Sequence, residues 1–233
     1  MVDEPYNPLD KLNLAASIKN RILEQQPAPL SETEGVTGAG IYLIYYTGPF
    51  AAYSPIAEKN NDQDNPFALP IYVGKAIPKG GRKGGLTKDS SAGTPIADRL
   101  RQHASSIAEA TNLELNDFLF RHLVVEDIWI PLGENMLIET YRPAWNIAID
   151  GFGNKDPGRR RATQYKSPWD VLHEGRKFAE KLADSGVGPD FLAERVGDHL
   201  AGNKLKPLPK KAKEAVDAAE EDEAIEEATD DQD

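Results

Sequence analysis

The stretch from Gly38 to Gly48, GAGIYLIYYTG, constrains the fold more than any other part of the chain. In an extended strand successive side chains point to opposite faces. Bulky side chains then occupy both faces, with Ile41, Leu43 and Tyr45 on one and Tyr42, Ile44 and Tyr46 on the other. Such a strand is typical of a sheet that is buried on both sides. A buried tyrosine hydroxyl needs a partner, so either the fold supplies partners for these phenols or one of them does chemistry.

The acidic charge of the chain is concentrated at its C-terminus. The 233 residues carry a net charge of -11 and no cysteine, so the chain forms no disulfide. From Glu214 to Asp233 there are 11 acidic and no basic residues, which leaves 27 acidic and 27 basic residues in the rest of the chain. We find no basic leader with an apolar block and no apolar run long enough to span a bilayer. We therefore expect a soluble cytoplasmic protein that does not contact a membrane.

The basic residues of the neutral body form two clusters. One extends from Lys75 to His103, and the other is the stretch GNKDPGRRRATQYK. Two basic clusters suit a polyanion such as nucleic acid, although both could be solvated loops without a ligand. The candidate DNA-binding residues in them are Lys79, Arg82, Lys83, Arg159, Arg160 and Arg161.

Apolar periodicity and boundary residues predict alternating helices and strands. Helices are expected at about 8–26, 94–110, 132–142, 167–182 and 188–201, and strands at 38–48, 71–76 and 117–130. The segment 47–70 is rich in Gly, Pro, Asn and Asp, which predicts an irregular loop. From about residue 204 there is too little apolar content for a core. We expect an N-terminal helical arm at 1–37, a globular domain at 38–202 and a disordered acidic tail at 203–233.

Two common types of catalytic motif are absent from the sequence. Gly74 and Lys75 are followed by Ala76 rather than Ser or Thr, without the glycine spacing of a phosphate-binding nucleotide loop. The four histidines lack the spacing of a zinc site such as His-Glu-x-x-His. These absences exclude a nucleotide hydrolase with that loop and a zinc hydrolase with that motif.

The helix predicted at 94–110 carries a polar pair beside its apolar stripe. Arg99 and His103 are four residues apart, so they lie on one side of the helix and are expected to be half buried together. A guanidinium beside an imidazole calls for an anion, either a structural carboxylate or a substrate phosphate. The alternative is an arginine that extends into solvent beside a surface histidine.

Glu134 lies on the apolar face of its predicted helix. Leu137, Ile138 and Tyr141 follow it at helical spacing, whereas Glu139 points away from this face. A carboxylate in such a position is costly unless it is paired or binds a cation. The alternative is a carboxylate that answers the free N–H groups at the start of the helix.

The sequence resembles the GIY-YIG nucleases in five elements that occur in the order of that family. These are Gly40-Ile41-Tyr42, Tyr72-Val73-Gly74, Arg99 on the next helix, Glu134 on the following helix, and Asn146. The stretches YYTG, LPIYVGKA, RPAWN, DGFGN and SPWDVLHEGR are similar to the type II restriction endonuclease branch, over residues 38–182. Two features depart from the family pattern: Val73 replaces the isoleucine of the family name, and the connection between the two strands is longer.

The resemblance implies a fold and a set of roles. The fold is α/β (α+β), a small mixed or antiparallel sheet flanked by helices, with added N- and C-terminal helices. Tyr42 would activate the attacking water, and Lys75, His103 or the metal would lower its pKa. Tyr72 would hold the phosphate or the water, Arg99 would stabilise the developing charge, and Glu134 would hold Mg²⁺. Asn146 completes the catalytic set, while Tyr45 and Tyr46 are interpreted as packing residues.

The same branch implies the substrate and partners. A type II enzyme would cleave double-stranded DNA as a homodimer at a short palindromic, GC-rich site, CCGCGG, and would be paired with a DNA methyltransferase. Two alternatives remain at this stage. One is a repair or structure-specific nuclease of the same family, and the other is a non-catalytic nucleic-acid-binding module on the same fold.

Overall fold

The computed structural model describes residues 10–77, 91–154, 156 and 164–218. The six candidate DNA-binding residues, Lys79, Arg82, Lys83, Arg159, Arg160 and Arg161, lie outside these ranges, as does the acidic run after residue 218. Within the described ranges, no helix combines the length and the apolar character needed to cross a membrane.

Four strands form one antiparallel sheet in the order β1-β4-β2-β3. They are β1 (Ala28–Pro29), β2 (Gly40–Tyr46), β3 (Tyr72–Ala76) and β4 (Phe118–Val124). The central strand β2 pairs with β3 on one side and β4 on the other, and all seven of its residues are buried. This confirms the strand predicted at 38–48 and shows that the small sheet is antiparallel rather than mixed.

Helices cover both faces of the sheet, as expected for a strand with bulk on both sides. They are α1 (Lys11–Leu23), α2 (Ser54–Asn60), α3 (Pro95–Glu109), α4 (Ile130–Tyr141), α5 (Ala144–Ile147), α6 (Pro168–Leu172) and α7 (Pro189–Leu200). On the first face, which we call the α4 face, Ile41 and Tyr45 pack with Ile22 of α1 and Leu137 of α4. On the second, the α3 face, Tyr42 and its neighbours pack with α3, α5, α6 and α7. The segment predicted as an N-terminal arm therefore contributes α1 to the layer on the α4 face.

Each tyrosine hydroxyl of β2 has a partner. Arg121 Nη1 donates to Tyr45 Oη at 3.0 Å, and the backbone amide of Phe50 donates to Tyr46 Oη at 2.8 Å. Burial raises the pKa of both phenols, so both stay protonated. These contacts agree with their interpretation as packing residues, and the partner of Tyr42 is described with the site.

Three predicted element bounds need correction. The segment 47–70 contains a 3-10 turn, Ala51–Tyr53, and then α2, because Pro55 at its start and buried Ile56 favour a helix. The strand predicted at 117–130 ends at Val124, and a short 3-10 turn leads into α4. The helix predicted to reach Leu182 ends at Leu172.

The C-terminal segment also differs from its prediction as a disordered tail from residue 203. Residues 210–218 are helical, Ala212 is fully buried and Ala215 is 6 % exposed. The segment before this helix is held by Arg195, whose guanidinium donates to the carbonyl of Lys206. Composition suggested disorder because alanine contributes little apolar surface. Nevertheless Ala212 packs on the core, and Ala215, three residues further along the same side of the helix, is also buried.

We expect residues 210–218, but not the chain beyond them, to contribute to stability. Truncation after Ala218 should leave the melting temperature unchanged, whereas truncation after Pro209 should lower it by roughly 3–6 °C, because about 1.5 kcal/mol of alanine burial is lost. Calorimetry on both truncations and the full chain measures the difference. Equal melting temperatures for the two truncations would show that the helix contributes nothing.

Candidate active site

The centre of the site is a buried hydrogen bond between Tyr42 of β2 and His103 of α3. The Tyr42 hydroxyl and His103 Nε2 lie 2.7 Å apart. Tyr42 is fully buried and His103 is 2 % exposed. Phe152 stacks on the imidazole with 4.4 Å between ring centres and 17° between planes. The expectation that His103 is only half buried is wrong, because α3 packs this side of its stripe against the sheet and Phe152 covers it.

The environment keeps His103 neutral at neutral pH. Burial lowers the pKa of its imidazole well below the ordinary value, and the positive charges of Arg99 and Arg176 lower this pKa further. A neutral imidazole has one unprotonated nitrogen that can accept a hydrogen bond or a proton. The imidazole of His103 can therefore accept a proton from the Tyr42 phenol at neutral pH.

Tyr72 and Arg99 adjoin this pair on the α3 face. The ring of Tyr72 lies 6.3 Å from that of Tyr42 and 5.2 Å from His103, measured between centres. Arg99, one helical turn before His103, is partly exposed, and its Nη1 lies 3.3 Å from Gln102 Oε1. A Cβ built on Gly153 would lie 3.1 Å from the Tyr72 hydroxyl and 3.6 Å from Arg99 Nη2. The Tyr72 hydroxyl and the Arg99 guanidinium thus lie beside the backbone of Gly153, and the Tyr72 ring adjoins Tyr42 and His103.

Gly74, the last residue of the Tyr-Val-Gly motif, is required by the close approach of Tyr42. Gly74 pairs with Tyr42 across the two strands. A Cβ at this position would lie 2.5 Å from the Tyr42 hydroxyl. Any side chain here would displace the phenol from its place beside His103, so the two halves of the sequence motif depend on each other sterically.

Lys75 and Glu134 form an ion pair on the α4 face. Lys75 Nζ and Glu134 Oε2 lie 3.0 Å apart, with side chains 19 % and 12 % exposed. The structure thus pairs this carboxylate with Lys75, one of the two possibilities that its position on the apolar face left open, and its role as a metal ligand stays a prediction. The helix-start alternative is wrong, because Glu134 is the fifth residue of α4 and the first turn holds no acidic residue. In the ranges that the structure covers, no group of three or more His, Asp or Glu side chains could hold a metal ion.

Asn146 clamps the edge of the sheet. Its side-chain oxygen accepts from the amide of Val73 at 2.9 Å, and its nitrogen donates to the carbonyl of Val73, also at 2.9 Å. β3 is an edge strand, so these two backbone groups have no strand partner on that side. Asn146 thus fixes the backbone between Tyr72 and Gly74.

Comparison with known families identifies the fold. The family model described as the Eco29kI GIY-YIG domain matches residues 34–200, more than two thirds of the 233-residue chain. The chain belongs to the GIY-YIG nuclease family. Comparison with curated proteins gives no match. As a member of this restriction endonuclease family, the GIY-YIG protein is a nuclease that acts on DNA.

Sequence reasoning missed two residues that shape the site of this GIY-YIG nuclease. Phe152 covers His103, and Arg176, which is 1 % exposed, holds the loop that carries Phe152. They lie in the stretches DGFGN and SPWDVLHEGR, which resemble the type II restriction endonuclease branch. The sequence pattern does not indicate that the Arg176 side chain is buried.

A second tyrosine–histidine pair lies deeper on the α3 face. Tyr53 Oη and His173 Nε2 are 2.5 Å apart, and Trp145 Nε1 donates to the same hydroxyl at 2.8 Å. His173 Nδ1 lies 2.8 Å from Asn112 Oδ1, so every polar atom of this pair is engaged within the core. Burial raises the pKa of Tyr53 well above its ordinary value and lowers that of His173 to about 3. Both side chains are therefore neutral at neutral pH. They link the residue before α2 with α5 and with the residue that ends α6.

Replacing Asn146 tests whether it acts through the strand. Asn146→Asp keeps the acceptor for the Val73 amide but loses the donor to its carbonyl, and we expect about 1–3 kcal/mol of destabilisation. We expect cleavage to fall together with stability, because Tyr72 loses its fixed backbone. Chemical denaturation and a cleavage assay on one preparation measure both. A loss of cleavage with full stability would instead place Asn146 among groups that contact the substrate.

Proposed function

We propose that this GIY-YIG nuclease is a type II restriction endonuclease that hydrolyses double-stranded DNA with Mg²⁺. The observation that carries the catalytic part is the 2.7 Å hydrogen bond between Tyr42 and His103, flanked by Tyr72 and Arg99. The restriction role is supported by the match to a restriction endonuclease family.

Tyr42 and His103 act as a proton relay. The phenol donates its hydrogen bond to unprotonated Nε2 of His103. As water attacks the phosphorus, the Tyr42 oxygen takes a proton from the water and passes its own proton to the imidazole. The low pKa of His103 keeps this acceptor free at neutral pH, and general base catalysis of this kind requires such a group within hydrogen-bond reach.

Tyr72 and Arg99 serve the phosphate. Hydrolysis places additional negative charge on the phosphate oxygens in the transition state, and a fixed guanidinium stabilises this charge. Arg99 is partly exposed and lies one turn from His103 on α3, so it can meet DNA while it adjoins the relay. The Tyr72 hydroxyl, beside the backbone of Gly153, positions a phosphate oxygen or the water.

The donor chemistry of Glu134 fits a magnesium ion. Mg²⁺ is commonly held by one or two carboxylates, with water and substrate phosphates completing its shell. When bound, the ion would supply positive charge to the phosphate and to the leaving oxygen. Lys75 neutralises Glu134 in the structure, so Lys75 must give way or share the carboxylate when a metal binds.

The rest of the substrate is contacted outside the relay. We propose that Lys79, Arg82, Lys83, Arg159, Arg160 and Arg161, which lie outside the described residues, bind the DNA backbone. We also propose a homodimer that cleaves a palindromic site, because the two-fold symmetry of such a site mirrors that of the protein. The GC-rich sequence CCGCGG is proposed from the resemblance to the type II branch. A methyltransferase with the same specificity would protect the host DNA.

Digestion of a mixed-sequence plasmid with Mg²⁺, followed by sequencing of the ends, tests the function. We expect discrete fragments with common palindromic ends. Random nicking would favour a repair nuclease, and no cleavage at all would favour a binding module. Sedimentation of the protein with a matching oligonucleotide tests the dimer.

The relay predicts a defined pH dependence. Cleavage requires neutral His103, so the rate should be constant around pH 7 and should fall only well below pH 6.5, as the imidazole takes up a proton. Tyr42→Phe should slow cleavage at least about a hundredfold at every pH, with DNA binding in Ca²⁺ retained. A rate that falls with a midpoint near 6.5 would contradict the buried, neutral histidine.

Glu134→Gln tests the metal role of this carboxylate. The variant should bind DNA in Ca²⁺ yet cleave in Mg²⁺ at least about a hundredfold more slowly, since about 3 kcal/mol of transition-state stabilisation is lost. Glu139→Gln is the matched control, because Glu139 is exposed on the same helix. If Glu134→Gln loses only stability, through the broken pair with Lys75, and cleaves normally, the metal assignment is wrong.

A further inference from the structure

We propose that Arg176 is a positioning residue for DNA cleavage: it fastens the loop at residues 151–154 against the Tyr42–His103 pair. This inference rests on the proposed nuclease function. Arg176 lies more than seventy residues from His103 in sequence, and no catalytic or binding motif in the sequence singles it out.

The guanidinium of Arg176 makes four hydrogen bonds, three of them to the loop. Nη2 donates to the carbonyl of Gly151 at 2.8 Å, and Nη1 donates to the carbonyls of Phe152 at 3.0 Å and Asn154 at 3.2 Å. The fourth runs from Nε to Asp170 Oδ1 at 2.7 Å. Two guanidinium nitrogens thus hold the four-residue loop by three of its backbone carbonyls, and the side chain of Phe152 faces the site.

Arg176 is itself fixed from two sides. Asp170 is 2 % exposed, and its other oxygen accepts from Ser167 Oγ, the N-cap of α6, at 2.7 Å. The guanidinium also lies over the Trp169 ring, 4.5 Å from its centre. The backbone next to Arg176 is tied to the end of α3, where the amide of Lys177 donates to Glu109 Oε2 at 3.0 Å.

Gly175 brings Arg176 close to α3. A Cβ at Gly175, which has a φ of +134°, would lie 1.9 Å from the carbonyl oxygen of Glu109. Only glycine therefore allows this segment to approach the helix that carries Arg99 and His103. Arg176 therefore links the loop at residues 151–154 to α3, the helix that carries Arg99 and His103.

The fastened loop touches most of the site. Phe152 stacks on His103 and contacts Tyr72 edge-on, with 5.0 Å between ring centres. Gly153 presents its backbone to Tyr72 and Arg99. A shift of this loop would release the imidazole from its stacked position, and small displacements of catalytic groups can cost about a hundredfold in rate.

Electrostatics supports the same role. Arg176 and Arg99 both lower the pKa of His103, in addition to burial. Among the described residues, the phenols of Tyr42 and Tyr72 also face His103. Arg176 thus helps to keep the imidazole neutral as well as to keep it in place.

Arg176→Lys is the main test, and Arg195→Lys is its matched control. Lysine keeps the charge but cannot span the three carbonyls and Asp170 at once. Arg195 is also buried and also donates to backbone carbonyls, those of Ala148 and Lys206, away from the loop. Both variants should lose stability. Only Arg176→Lys should slow single-turnover cleavage, by at least about tenfold, with DNA affinity in Ca²⁺ within about threefold of the wild type.

Hydrogen exchange of the loop amides gives a readout that does not depend on activity. In Arg176→Lys the amides of residues 151–154 should exchange at least about tenfold faster, and in Arg195→Lys they should not. Cleavage at the wild-type rate despite faster exchange would overturn the positioning role. Equal losses of cleavage in the two lysine variants would show that Arg176 contributes to the stability of the core and not specifically to the site.

A double variant, compared with Arg176→Lys, separates charge from anchoring. Both lose the guanidinium hydrogen bonds to the loop, and only the double variant loses the positive charge. Arg176→Met with Asp170→Asn removes the charge without leaving a buried carboxylate unpaired. The pKa of His103, followed by NMR, should rise, and the acid limb of the cleavage profile should move to higher pH; an unchanged pKa would contradict the electrostatic contribution. If the wild-type protein cuts no DNA, the proposed function fails, while the exchange and NMR measurements still decide whether Arg176 fastens the loop.

Discussion

Complete burial of β2 is the constraint on which the rest of the structure depends. A strand with bulk on both faces must be covered twice, and its three phenols must each find a polar partner in a layer of helices or loops. Tyr45 meets Arg121, and Tyr46 meets the amide of Phe50. Tyr42 meets His103, a side chain type whose ordinary pKa lies near neutral pH. The hydrogen bond that satisfies the buried hydroxyl of Tyr42 is thus also the centre of the candidate site.

Much of this arrangement could be predicted from sequence because it is local. The alternation in β2, the Pro95 that starts α3 and the spacing of Arg99 and His103 place the main groups on the right elements. The unfavourable position of Glu134 indicated that this carboxylate is either paired or bound to a cation, and the structure pairs it with Lys75. What the local pattern could not supply was the identity of that cation in the structure, since Lys75 comes from a strand about sixty residues earlier.

The missed features arise from contacts between distant segments. The catalytic role of Asn146 stays a prediction, but the sequence did not indicate that both its polar atoms bind the backbone of Val73, which is 73 residues away. The inward turn of Arg176 depends on a glycine pressed against α3 and on a carboxylate held by a helix cap. The helix at 210–218 uses alanine surfaces too small to stand out in composition. In each case packing overrides the local signal.

The burial of Tyr42 bears on how such an enzyme discriminates between DNA sequences. Its phenol is fully enclosed, with Tyr72 and the Phe152 loop around it. If Tyr42 acts as proposed, a phosphate would reach that oxygen only when these groups move, and the free energy for the movement would come from contacts made elsewhere along the duplex. A sequence that supplies fewer contacts would leave the chemistry unassembled, as in induced-fit discrimination. Enclosure of Tyr42 would thereby convert differences in binding into differences in rate.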